Sequence, residues 1–105
     1  MIDQKIINRA LVGPSEISDI YRAIDSKLLY RAMVPEYKPI LRTIEDYYSR
    51  HKIPPSYNVL KKLLSDGFDL SIIDDIESDI CSANEIGYYI DSIKRRYNKF
   101  LINYI

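Results

Sequence analysis

Residues 85–105 read EIGYYIDSIKRRYNKFLINYI. Ile86, Ile90, Ile93, Tyr97, Phe100 and Tyr104 recur at steps of four, three, four, three and four, which draws one heptad-like stripe along a helix. Leu101 and Ile105 widen it. A stripe of this breadth offers more apolar surface than a small bundle has to cover: over residues 86–97 packing on the chain's own domain is the favoured reading, and its outer part, above all Phe100 to Ile105, is expected to be shared with a second copy. Each apolar side chain buried that way contributes about 1.5–3 kcal/mol before ordering costs. The expected oligomer interface is therefore Ile86, Tyr89, Ile90, Ile93, Tyr97, Phe100, Leu101 and Tyr104. A charge at Ile93 is expected to dissolve the oligomer and leave the helix standing.

Upstream of that stripe the periodicity is helical as well, and no run alternates as a strand would. Ile6, Ile7, Ala10 and Leu11 make a first helix, stopped by Gly13-Pro14. Ser15 is the expected cap of a second, carrying Ile17, Ile20, Tyr21 and Ile24. A third runs from about Tyr37 to His51 with Ile40, Leu41, Ile44, Tyr47 and Tyr48 inward, and Pro39 is harmless in its first turn. After Pro54-Pro55, Ser56 caps a fourth with Val59, Leu60, Leu63 and Leu64, closed by Asp66-Gly67. Ser71 and Asp74 suggest a capping box for a fifth with Ile72, Ile73, Ile76 and Ile80, and Asn84 introduces the last. The expected fold is all-α, a single domain over residues 1–105 built as a bundle of about six helices.

The bulk numbers agree with one folded core: 105 residues, 47% of them hydrophobic and 29% charged. One cysteine excludes a disulfide framework and fits a reducing compartment, with the cytoplasm as the default. No run is long enough to cross a bilayer, and the start of the chain is no signal sequence. Net charge is zero but unevenly spread. Residues 1–65 carry 11 basic and 7 acidic side chains, residues 66–93 carry 8 acids and no Lys or Arg, and residues 94–105 carry 4 basic side chains and no acid. An acidic block between two basic ones suits docking to protein surfaces better than wrapping nucleic acid, which needs a continuous basic track.

Material for catalysis is thin. His51 is the one histidine and Cys81 the one thiol, so a multi-His metal site or a Cys-based relay cannot be assembled from a single chain. His51 reads as a solvated residue at a helix end and Cys81 as a small core residue. Asp75, Glu77 and Asp79 alternate as in a calcium loop, yet Ile80 stands where the loop needs glycine. No phosphate-cradling GxxxxGK[ST] motif is present. We expect no catalytic residue, no cofactor and no metal, and no enzymatic activity in this chain alone.

Two readings of residues 43–64 remain. A helix, a Pro-Pro-Ser turn and a short second helix also open the LexA-type winged helix, whose next helix enters the major groove. Here that helix would carry Asp74, Asp75, Glu77 and Asp79 and would meet phosphates with repulsion. In the second reading, residues 6–11, YKPILRTIEDYY at 37–48, PPSYNVLKKLL at 54–64 and SANEIGYYIDSIKRR at 82–96 follow one another in a family order. That order resembles the N-terminal domain of DnaB-type replicative helicases. Ser82, Ala83, Asn84, Ile86, Tyr89, Asp91, Ile93, Lys94 and Arg96 match its final segment position by position. Tyr37-Lys38-Pro39 departs from the family's His-Arg pair, as in a diverged, phage-like member.

The resemblance implies the collar domain of a hexameric helicase, pairing protomers through an antiparallel helical hairpin and docking primase or a helicase loader. The motor would lie outside this chain. The alternative is a stand-alone phage replication or regulatory protein that binds a helicase or, through a winged helix, DNA. Lys94, Arg95, Arg96 and Lys99 read first as a solvated helix face and second as a contact for a partner or for nucleic acid. The pairs Tyr47-Tyr48 and Tyr88-Tyr89 could stack bases, although core or interface packing explains them better.

Overall fold

Proline, aspartate and serine punctuate this chain into short helices. In the computed structural model the described residues are 1–64 and 66–104, with side chains described through residue 99. Among them are seven α-helices: α1 (Ile2–Ala10), α2 (Pro14–Ala23), α3 (Ser26–Ala32), α4 (Lys38–His51), α5 (Tyr57–Leu63), α6 (Ser71–Ser78) and α7 (Ile86–Tyr104). A 3-10 turn, Pro35–Tyr37, leads into α4. Every regular element is helical, so the all-α class is what the chain adopts. The count exceeds the expected six because of α3. Only Leu29 and Ala32 are buried in its two turns, and no proline or glycine sets it off from α2. The signal that was present is Asp25, whose carboxylate accepts from the amides of Lys27 and Leu28 at 3.1 and 3.3 Å.

Several helix starts differ from expectation in the same local way. Ser56 caps α5 as the sequence suggests, accepting from the Val59 amide at 3.2 Å. For α2 the cap position is Gly13 with Pro14 behind it, and the Ser15 hydroxyl turns instead to Glu16. Ahead of α6, Asp69 rather than Ser71 takes the free donors, accepting from the Ser71 amide and hydroxyl. Before α7 the Ser82 hydroxyl donates to Glu85 at 2.9 Å, and this pair, not Asn84, closes the turn. At its other end α4 stops on Lys52, which adopts the left-handed region (φ 63°) just ahead of Pro54.

The core is aliphatic and dominated by isoleucine. Ile6 and Ile7 of α1, Ile17 and Ile20 of α2, Leu29 of α3, Ile40, Leu41 and Ile44 of α4, Leu60 of α5, Ile73 and Ile76 of α6, and Ile90 and Ile93 of α7 meet in one cluster. α1 lies at its centre, packing on α2, α6 and α7, while α3 bridges α7 and α4. The radius of gyration is 13.3 Å, about the 13 Å of a compact chain of this length.

Two aliphatic residues assigned inward are exposed. Leu63 ends the two-turn α5, which seats itself on Leu60. Ile80 lies past the end of α6, where Asp79 leaves helical geometry (φ −94°, ψ 70°), so the four-residue step from Ile76 no longer carries it to the same face.

Candidate functional site

α7 divides the proposed interface into parts with different fates. Ile93 is fully buried and Ile90 is 5% exposed, both inside the chain's own core. Ile86, Tyr89 and Tyr97 are half-buried against the same cluster. The stretch packs on its own domain, as favoured for residues 86–97, and Ile90 and Ile93 therefore leave the expected interface: α1 and α3 cover them from within the chain. The first two turns of α7 do leave one edge open. Small residues Ala23, Ala83 and Gly87 flank Ile20, Ile86 and Ile90 in a groove of about 410 Å³, with Arg9, Glu16 and Asp19 on its rim. Phe100, Leu101 and Tyr104 of the expected interface lie outside the residues whose side chains are described, although the backbone is helical through Tyr104.

The basic residues of α7 separate just as sharply. Arg96 is one-third exposed, and its guanidinium is engaged within the chain. Its guanidinium makes two parallel bonds of 2.9 Å to the carboxylate of Asp3 and a third of 3.0 Å to the carbonyl of Ala32. Asp3 has no exposed side-chain surface and also accepts from the Val34 amide at 2.9 Å. Bidentate geometry backed by further hydrogen bonds is the condition under which a buried pair repays its desolvation. Arg96 is thus structural, holding α1, α3 and α7 together. Arg95 and Lys99 are exposed and Lys94 is half-buried, and a shallow hollow of about 310 Å³ opens beside Ile2, Ser92, Arg95, Arg96 and Lys99. Lys94, Arg95 and Lys99 remain as surface cations.

A second internal polar anchor escaped the sequence reading. Asn8, on α1, is 7% exposed. Its amide donates to the Ile76 carbonyl at 2.9 Å and the Tyr57 hydroxyl at 3.2 Å, and its oxygen accepts from the Cys81 amide at 3.0 Å. It satisfies the end of α6 and the chain leaving it, where backbone groups lack helical partners. Burial and the nearby Glu77 push the Tyr57 phenol up to about 12, against the pull of Asn8. The aromatic pairs behave as packing: Tyr47 stacks on His51 at 4.2 Å, Tyr48 and Tyr89 pack on the core, and Tyr88 alone is well exposed.

The largest group of free cations lies elsewhere, on α3 and α4. Lys27 and Arg31, and Lys38 and Arg42, are spaced four apart on their helices. Lys38 and Arg42 sit over the Tyr30 ring at 5.3 and 5.0 Å. A hollow of about 400 Å³ opens between Ser26, Lys27, Tyr30, Arg31, Arg42 and Glu45. Among the described residues none of these four cations is in an ion pair. Beside them Glu45 is half-buried with one carboxylate oxygen unpartnered. Burial raises its titration, and the Tyr21 phenol beside it is raised too, by burial first and by the Glu45 charge second.

No family model, curated protein or solved structure matches this chain.

The chemistry on view is that of surfaces. Cys81 is buried and its thiol is held above the ordinary range by burial, the reverse of what a nucleophile needs. Among the described residues no group of His, Cys, Asp and Glu is placed to hold a metal ion, and no helix is long and apolar enough to cross a membrane. α6 keeps Asp74, Asp75 and Glu77 exposed, and the described residues include no strand from which a wing could be made. Both features weigh against the winged-helix docking.

Proposed function

We propose that this chain is an oligomerisation and docking domain of a hexameric replicative DNA helicase of the DnaB type, working in the cytoplasm. It would pair protomers through the distal part of α7 and offer the rest of its surface to primase or a helicase loader. The observation that carries this reading is the division of α7. Ile90 and Ile93 root the helix in its own core, while the backbone stays helical to Tyr104. The sequence of that distal part, Phe100, Leu101, Ile102 and Tyr104, is apolar. A helix of 19 residues spans about 28 Å, so its distal half is long enough to reach a neighbour while its proximal half stays anchored. The order of segments that resembles the helicase domain supports the same reading.

Sedimentation velocity over a range of concentrations tests it. The chain is expected to gain mass with concentration, and a Phe100→Asp/Leu101→Asp variant is expected to remain single with unchanged helicity. A wild-type chain that stays monomeric at every concentration removes the reading, as does tight, salt-sensitive binding to duplex DNA in its place.

A further inference from the structure

The bundle carries a basic group and an acidic group on different helices. In the first, Lys27, Arg31 and Arg42 line the α3–α4 hollow together with Glu45, and Lys38 lies beside it over the Tyr30 ring, none of these four cations in an ion pair among the described residues. The second is the C-terminal end of α6. Asp74 is engaged by Lys61 at 2.6 Å and Asp79 by Lys5 at 2.9 Å, but Asp75 and Glu77 are exposed and unpaired among the described residues. Beside them Ile80 is 72% exposed, the most exposed large hydrophobic residue of the described surface. Its backbone is fixed, since the Ile80 carbonyl accepts from Lys5 at 2.7 Å and Cys81 next to it is held by Asn8. α3 packs on α4 and α7, whereas α6 packs on α1 and α5, so the two charged groups stand on different helix pairs.

We propose that the chain docks head to tail on a second copy of itself, the acidic end of α6 with Ile80 at its tip seating in the basic hollow between α3 and α4. The shapes agree: a fixed apolar tip flanked by carboxylates meets a recess of about 400 Å³ walled by the stems of Lys27, Arg31 and Arg42. The charges agree as well: Asp75 and Glu77 meet Lys27, Arg31 and Arg42, which outnumber the Glu45 carboxylate in the same lining. Nucleic acid fits the recess less well, because Lys38 and Arg42 already occupy the Tyr30 ring that a base would stack on. A contact between two different patches is heterologous, so repeating it builds a ring or a filament instead of a closed pair. It uses neither α7 nor the helicase reading.

The test is sedimentation velocity of the whole chain at low and high ionic strength, with two charge-reversal variants, Lys27→Glu/Arg31→Glu and Asp75→Lys/Glu77→Lys. All four positions are exposed, and circular dichroism checks that each variant folds. Wild type is expected to associate at low ionic strength and to lose that association in high salt. Each variant alone is expected to lose the salt-sensitive step. An equal mixture is expected to regain it, since the first variant keeps the acidic tip, the second keeps the basic hollow, and the two reversed patches again carry opposite charge. Ile80→Ser is expected to weaken the complex at least tenfold. Salt-sensitive association that survives in either variant alone, or a mixture that does not pair, overturns the proposal. So does a wild-type chain that stays single at low ionic strength, including one whose basic face binds a single-stranded oligonucleotide. Association through α7 would resist salt and persist in both variants, so the two contacts fail separately.

Discussion

Glu45 sits between Ile44 and Asp46 and looks, in sequence, like one more surface acid of an amphipathic helix. In the fold it is half-buried, with one oxygen lacking a partner and the Tyr21 phenol close by. Burial disfavours its charged form, so the folded chain holds the Glu45 proton to a higher pH than the unfolded chain does. The folded state then binds more protons between those two values, and stability falls as pH rises from the ordinary carboxylate range through the raised one. Glu85 and Asp69 act in the opposite sense. Hydrogen bonds from Ser82 and Ser71 lower their titration, so the stability they add is lost as pH falls. Glu45→Gln is therefore expected to match wild type near pH 4, about where free carboxylates titrate, and to exceed it increasingly toward pH 7. Urea midpoints measured across that interval check this, and a gap independent of pH would refute the assignment. Asp3 and Asn8 were equally illegible in sequence, for a related reason. A polar residue on α1 announces its burial only through partners 31 to 93 positions away, and a local period carries no such information.

Among the helices, α1, α2, α4 and α5 were readable and α3, equal in length to α5, was not. α4 buries Ile40, Leu41 and Ile44 as its spacing requires, and α1 and α2 do the same. α3 was missed because no proline or glycine sets it off from α2, as Pro54-Pro55 sets off the equally short α5, although its Asp25 cap was in plain view. In α7 the period was right and its meaning was divided, since one stripe can serve a core along part of its length and a neighbour along the rest. That division changes what a single substitution does. Ile93 is fully buried, so Ile93→Asp places a charge without a partner in the aliphatic core, a cost of at least about 4 kcal/mol. Set against the roughly 5–15 kcal/mol that holds a domain together, this is expected to abolish cooperative unfolding and most of the helical circular dichroism, not just to separate copies. A folded but dissociated Ile93→Asp chain would place Ile93 at a surface and contradict the packing described above. The equivalent change at exposed Tyr88 is expected to leave the melting temperature within a few degrees of wild type.

Taken together, the bundle is closed by its two ends. α1 supplies the centre of the core and packs on α2, α6 and α7. Two polar ties secure it: Lys5 and the terminal amine reach Asp79 behind α6, and Asp3 receives Arg96 from α7, 93 residues away. Bringing residues so distant together costs loop entropy that only interactions formed late can offset. The Asp3–Arg96 pair is thus expected to govern unfolding more than the rate of folding. Removing one member leaves the other charge uncompensated. Arg96 is one-third exposed, which places the cost of Arg96→Met near the lower end of the usual range, about 3 kcal/mol. The double variant Asp3→Asn/Arg96→Met removes both charges, while the carboxamide oxygen introduced at position 3 can still accept from the Val34 amide, so it is expected to recover at least half of that loss. Urea denaturation of wild type, both single variants and the double variant measures the coupling directly. If the two single losses simply add in the double variant, the pair contributes no more than two independent polar residues, and the closing of the bundle must be assigned to the contacts of Ile6, Ile7 and Ile93 alone.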